Sequence, residues 1–127
     1  MASVFFLDTA QNVVSYLEAL HATLVPGGHL VNLGPLMYHW ADDPGETSVE
    51  LALDELLAVA GAVGFDVARH AMAPAGFNNG PGTMFPTAYD CAFTTFRKAR
   101  PLFGGVPRPV GAPPRGEGGE EGGEEGP

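Results

Sequence analysis

Only one cysteine, Cys91, occurs in the 127 residues. A lone thiol cannot close an intramolecular disulfide, so the chain depends on a hydrophobic core and suits a reducing compartment. Cationic side chains are almost as scarce. Residues 1–99 carry Arg69, Arg97 and Lys98 against ten Asp and Glu, a formal balance near −7. So few positive groups cannot neutralise a phosphate backbone, which excludes nucleic acid and an anionic membrane surface as expected partners. Long apolar runs are missing too: no stretch approaches the about 18 residues a membrane span needs, and no basic segment precedes an apolar run near Met1. A cytoplasmic or nuclear setting is the default expectation.

What is present divides in two. In residues 100–127, 15 of 28 positions are Gly or Pro and the segment ends in GEGGEEGGEEGP, too polar to bury the surface that offsets ordering entropy. This part is expected to be a disordered Gly/Pro/Glu-rich tail. Residues 1–99 remain as one folded unit, small enough that only about two thirds of its unfolded surface is removed from water.

Along that unit, Ser3–Leu7 (SVFFL) has the apolar continuity of a strand buried on both faces. From Thr9 to Leu24, Val13, Val14, Leu17, Leu20 and Leu24 recur at helical spacing, with Asp8 or Thr9 as N-cap and Pro26 and Gly27 as the stop. A turn at Pro26–Gly28 leads to a second strand, His29–Gly34. A second helix is expected from about Leu53 to Val63, ended by Gly64, then a strand from Phe65 to Ala71. A Gly-, Pro- and Asn-rich loop spans 72–87, and a last strand, Tyr89–Arg97, places Tyr89, Cys91, Phe93 and Thr95 on one face. The expected fold is α/β, the second half of a doubly wound sheet ending in an antiparallel hairpin.

Ligands of such sheets bind beyond the carboxyl ends of the strands. Asp8 ends the first strand and the Tyr38–His39–Trp40 loop follows the second, so both fall on that rim. Ordinary roles compete at each position. Asp8 serves equally as an N-cap, His39 as an exposed loop residue, and Tyr38 and Trp40 as loop anchors. Tyr89 and Cys91 suit core packing, and Cys91 has no cationic neighbour to make it a nucleophile. His21, His29 and His70 lack a second ligand at metal spacing, so no metal is expected.

The segments VFFLDTAQNVVSYLEAL, LVPGGHLVNLGPLMYHW, SVELALDELLAVAGAVGF and YDCAFTTFRKA resemble the C-terminal half of the carnosine N-methyltransferase family across residues 3–99. The resemblance implies a Rossmann-like methyltransferase fold. It also implies transfer of a methyl group from S-adenosyl-L-methionine to an imidazole nitrogen of carnosine, giving anserine. By position, Asp8 matches the family's substrate carboxylate and catalytic residue, His39 its substrate histidine and Tyr89 its substrate tyrosine. Chemically, a neutral imidazole, pKa about 6.5, already carries one lone pair at neutral pH. A carboxylate accepting the other nitrogen's proton would therefore suffice to aim it.

Departures from the family pattern are Gln11 for His, Phe77 for Tyr and Thr87 for an aromatic. Nothing here resembles the family's glycine-rich cofactor loop or its acidic ribose partner, so cofactor-binding residues are not assigned. Three functions are open at this level: an incomplete methyltransferase acting on a small imidazole dipeptide, a non-catalytic half-domain that binds a small molecule or partner, and a subunit that self-associates or pairs through the VFFL edge.

Overall fold

The computed structural model describes residues 1–103. Strand β1 (Ala2–Val4) runs through a 3-10 turn (Leu7–Thr9) into helix α1 (Val13–Thr23), and β2 (His29–Gly34) is followed by α2 (Leu53–Val63). Strands β3 (Phe65–Gly76) and β4 (Ala88–Lys98) complete a four-stranded sheet in the order β1-β2-β4-β3. β1 and β2 are parallel, while β4 lies antiparallel between β2 and β3. The α/β class and the terminal antiparallel hairpin are as expected from the sequence.

The core joins one stripe of each helix to one face of the sheet. Val13 and Leu17 of α1 and Leu56, Ala60 and Val63 of α2 form one cluster with Leu30, Phe65 and Phe96. Burying a side chain of that kind contributes about 1.5–3 kcal/mol. The opposite face carries no helix among the described residues. There Val4 is 60% exposed, and Val31, Leu33 and Phe93 are only partly covered.

That asymmetry corrects the first strand. It spans Ala2–Val4 rather than Ser3–Leu7, and it is buried at Ser3 alone, because helices shield one face only. After Val4 the backbone leaves the sheet: Phe5 has φ 49, and Gly34 of the neighbouring strand allows the close approach. A Cβ at Gly34 would stand 3.2 Å from the Phe5 N and Cα atoms.

The first helix begins at Val13 rather than Thr9. Its N-cap is Asn12, whose Oδ1 accepts from the Val14 and Ser15 amides, so neither Asp8 nor Thr9 caps it. The second helix matches its expected bounds, Leu53–Val63, with Gly64 at φ 128 after it. β3 extends five residues beyond Ala71 through Pro74 and Gly76. Proline is tolerated because β3 is an edge strand, where a missing N–H breaks no ladder bond on the open side.

The end of the sheet opposite the β1 and β2 carboxyl termini is tied by cations. Lys98 Nζ donates to the His21 and Leu24 carbonyls at the C-terminus of α1. Arg100 donates to the Gly61 carbonyl in the last turn of α2 and to the Phe65 carbonyl at the start of β3, and pairs with Asp66 at 2.6 Å. Each thereby adds a charged donor to carbonyls of the last helical turn or cap, at the negative end of the helix dipole. The buried His21 meets the Arg100 carbonyl at 2.8 Å through Nε2, which must carry the proton because a carbonyl only accepts. With the Phe103 amide bonded to the Val63 carbonyl, packing continues a few residues past 99. The rest of the segment expected to be a disordered tail lies outside the described residues.

Candidate functional site

The site grows from two loops that leave parallel strands at the same rim. After β1 the chain turns at Phe5 and places Asp8 in the 3-10 turn, where it is only 2% exposed. After β2 the chain turns at Tyr38, φ 44, the second non-glycine with a left-handed backbone beside this site. Bulky residues rarely adopt that conformation, and where they do the surrounding contacts hold them.

Those contacts are on Tyr38 itself. Its hydroxyl donates to the Leu51 carbonyl at 2.6 Å and accepts from the Leu51 amide at 3.0 Å. Burial pushes its pKa above the ordinary 10.0, opposed by the Leu51 backbone hydrogen bond and assisted by the nearby Asp8, Glu50 and Glu55 carboxylates. Trp40 ties the same loop back through Nε1–H to the Thr9 carbonyl, 3.0 Å. Tyr38 and Trp40 are therefore loop anchors, the ordinary role their sequence allows.

Between the anchors, His39 is stitched to Asp8 by main chain and side chain. Its amide donates to the Asp8 carbonyl at 3.0 Å, and its Nδ1 lies 3.1 Å from the same oxygen. A carbonyl can only accept, so Nδ1 carries a proton, and in the neutral ring Nε2 is then the acceptor. The Asp8 carboxylate receives the Met37 amide on Oδ2 at 3.0 Å. Among the described residues Oδ1 accepts no hydrogen bond, although the side chain is buried.

These groups line a cleft of ≈ 290 Å³ with Phe5, Pro35, Met37, Asp42, Phe77 and Tyr89. Phe5 stacks on Phe77 with centroids 5.2 Å apart and meets Tyr89 edge-on at 5.8 Å, which builds an aromatic wall facing the acidic loop. The volume lies near the lower end of small-ligand pockets, about 300–1,000 Å³. Asp8, His39 and Tyr89, separated by up to 81 positions in sequence, are thus brought to one cavity.

Phe5, Met37 and Asp42 were not singled out by sequence. Phe5 belongs to an apolar run that looks like core strand, and only its left-handed turn sends it to the rim. Asp42 had a usable signal, lying three residues after His39 in the same polar loop. The other candidates stay outside the cleft. His21 braces the far end, His70 bonds Thr94 Oγ1 at 3.0 Å through Nδ1, and Cys91 is buried, its thiol pushed above the ordinary 9.0 mainly by burial and then by Asp90. Among the described residues no group of three or more His, Cys, Asp or Glu is arranged to hold a metal, and no helix is long and apolar enough to cross a membrane.

The family described as carnosine N-methyltransferase matches residues 1–100. The chain is 35% identical over 99 residues to Carnosine N-methyltransferase unmet of Drosophila melanogaster, covering 77% of this chain and 22% of that protein. It is 38% identical over 79 residues to the Carnosine N-methyltransferase of Schizosaccharomyces pombe, 55% of this chain and 21% of the relative. Over 67 residues it is 40% identical to that of Rattus norvegicus, 53% and 17% respectively. The chain therefore spans about a fifth of the length of the curated relatives it matches. Matched by the family over nearly all its described residues, the chain belongs to the carnosine N-methyltransferase family.

Proposed function

We propose that this chain supplies the substrate-binding part of a carnosine N-methyltransferase, holding the imidazole of a small dipeptide for methylation to anserine. The observation that carries the reading is the Asp8 carboxylate. It is buried in a small-ligand cleft with one oxygen occupied by the Met37 amide, and His39 and Tyr89 stand on the walls. The strand order β1-β2-β4-β3, a parallel pair followed by an inserted antiparallel strand, supports assignment to the second half of a Rossmann-like methyltransferase sheet.

Asp8 Oδ1 would accept the N–H of a neutral imidazole and so select the tautomer whose lone pair faces away from the carboxylate. The same carboxylate would stabilise the ring once it becomes cationic on alkylation, with no reorganisation because the Met37 amide already orients it. His39 Nε2 offers an acceptor, and Phe5, Phe77 and Tyr89 limit ring motion. No strong base is needed, since the attacking nitrogen already holds its pair.

S-adenosyl-L-methionine, the methyl donor the family implies, does not fit residues 1–103 alone. The cleft has room for about one small ligand, and its lining holds no loop of glycine amides to approach a nucleoside. The donor would be held by other polypeptide, in cis or in trans. The reading of a subunit that pairs with another polypeptide is supported by a separate observation: β1 has one pairing partner and the helix-free face leaves Val4 exposed.

Titration of the purified chain with carnosine, followed by amide and ring NMR shifts, tests the reading. Binding is expected, weakened at least about tenfold by Asp8→Ala. Labelled methyl transfer is expected once the donor-binding half of a relative is added, and is expected to vanish in that variant. No binding of carnosine, or equal binding by Asp8→Ala, would overturn the assignment. Binding without transfer in the reconstituted mixture would favour the non-catalytic half-domain.

A further inference from the structure

The nine residues lining the cleft include two carboxylates, Asp8 and Asp42, and no Lys or Arg. The cations of the described residues are placed elsewhere. Lys98 and Arg100 are bound to helix carbonyls at the far end of the sheet, Arg97 flanks them, and the Arg69 guanidinium lies over the Phe93 ring at 5.5 Å. A negative group on a ligand therefore finds no counter-charge among the cleft-lining side chains, whereas a positive group finds acceptors in excess.

The two carboxylates are not equivalent. Asp8 is buried and already accepts the Met37 amide, so its remaining capacity suits the imidazole N–H. Asp42 is exposed on the rim, and its backbone is bracketed by turn hydrogen bonds from Ala41 N to Tyr38 O, 3.0 Å, and from Asp43 N to Trp40 O, 3.2 Å. Trp40 is itself held to Thr9, so the position of Asp42 is set while its side chain remains available.

We propose that Asp42 is a specificity-determining residue that recognises a cationic group of the ligand beyond the imidazole. The cleft then prefers imidazole compounds bearing a free ammonium over those in which it is neutralised. This rests on the imidazole-binding reading above and extends it to the substrate's second anchor. Two acceptors at different depths, one for the ring and one for the ammonium, fix the orientation of a short flexible molecule as well as its presence. Because Asp42 is at the rim, its effect is solvent-screened and falls with ionic strength.

The test compares carnosine with N-acetylcarnosine, which keeps the imidazole but loses the ammonium charge, by NMR titration of the full chain at low salt. The wild type is expected to bind carnosine about fivefold more tightly. Asp42→Asn is expected to bring the two within about twofold, and Asp42→Lys to reverse the order, with neither altering the fold at an exposed position. Asp8→Ala is expected to weaken both ligands while preserving their ratio. Equal affinities in the wild type, or an undiminished preference in Asp42→Asn, would overturn the role of Asp42 and leave the imidazole site standing. Binding of neither ligand would overturn the imidazole-binding reading and this inference together.

Discussion

The two ends of the sheet solve opposite problems. At the far end, Lys98 and Arg100 are matched to carbonyls around the ends of α1 and α2, His21 holds the Arg100 carbonyl, and positive φ angles at Gly27, Gly64 and Phe103 let the segments meet. At the rim, two bulky residues, Phe5 and Tyr38, hold left-handed angles, and a buried carboxylate keeps an oxygen unused. The comparison teaches where this small fold uses its charged side chains for cohesion and where it leaves one open. One end commits its cations to main-chain carbonyls, although the buried Arg100 Nε finds no partner among the described residues, and the other leaves capacity for a ligand.

The largest expected effect would break the far end. A Cβ at Gly64 would stand 2.7 Å from His21 Nε2 and 2.8 Å from the Arg100 carbonyl, at a φ of +128 that side chains rarely adopt. Gly64→Ala is expected to cost about 3 kcal/mol or more, read as a lower urea midpoint by circular dichroism. An unchanged midpoint would mean that this junction does not carry the stability assigned to it.

At the rim, Tyr38→Phe removes a hydroxyl that satisfies both polar groups of Leu51 and is expected to cost about 1–2 kcal/mol. Carnosine binding is expected to weaken as well, because the anchor positions His39. Loss of stability with unaltered binding would separate the anchor from the site and dissolve the contrast between the two ends.

The smallest effect sharpens the comparison by pH. The folded-state pKa values of Cys91 and Tyr38 are raised, so the fold holds their protons more tightly than the unfolded chain does. Their contribution is complete below the ordinary thiol value of 9.0 and is lost as pH rises through the folded values. Urea midpoints are expected to fall between pH 8 and pH 11, with a shallower slope in Cys91→Ala. An equal slope in that variant would show that the thiol is not part of the alkaline response.

Much of this architecture was legible because local rules agreed with the global fold. The bounds of α2, Leu53–Val63, follow from apolar spacing and a terminal glycine, and β2 follows from a short apolar run after a Pro-Gly-Gly turn. The misses share one cause. β1, the start of α1 and the length of β3 each depended on a neighbour: Gly34 receiving the Phe5 backbone, loop 35–52 occupying the residues before Asn12, and an edge position that accepts Pro74. The candidate site divides similarly. Asp8, His39 and Tyr89 were reachable from a family resemblance, whereas Phe5 resembled core and Asp42 resembled solvated loop.

By itself the sequence determined the α/β class, the two helical stripes, the acidic balance, and the family. These depend on side-chain periodicity and charge, which are local or additive. Only the tertiary structure decided that Asp8 caps no helix but stands buried beside the next loop, that His39 carries its proton on Nδ1, and that both carboxylates share a cleft without a cation. Those outcomes depend on which backbone carbonyls and amides the fold brings within hydrogen-bond distance, and periodicity carries no record of that.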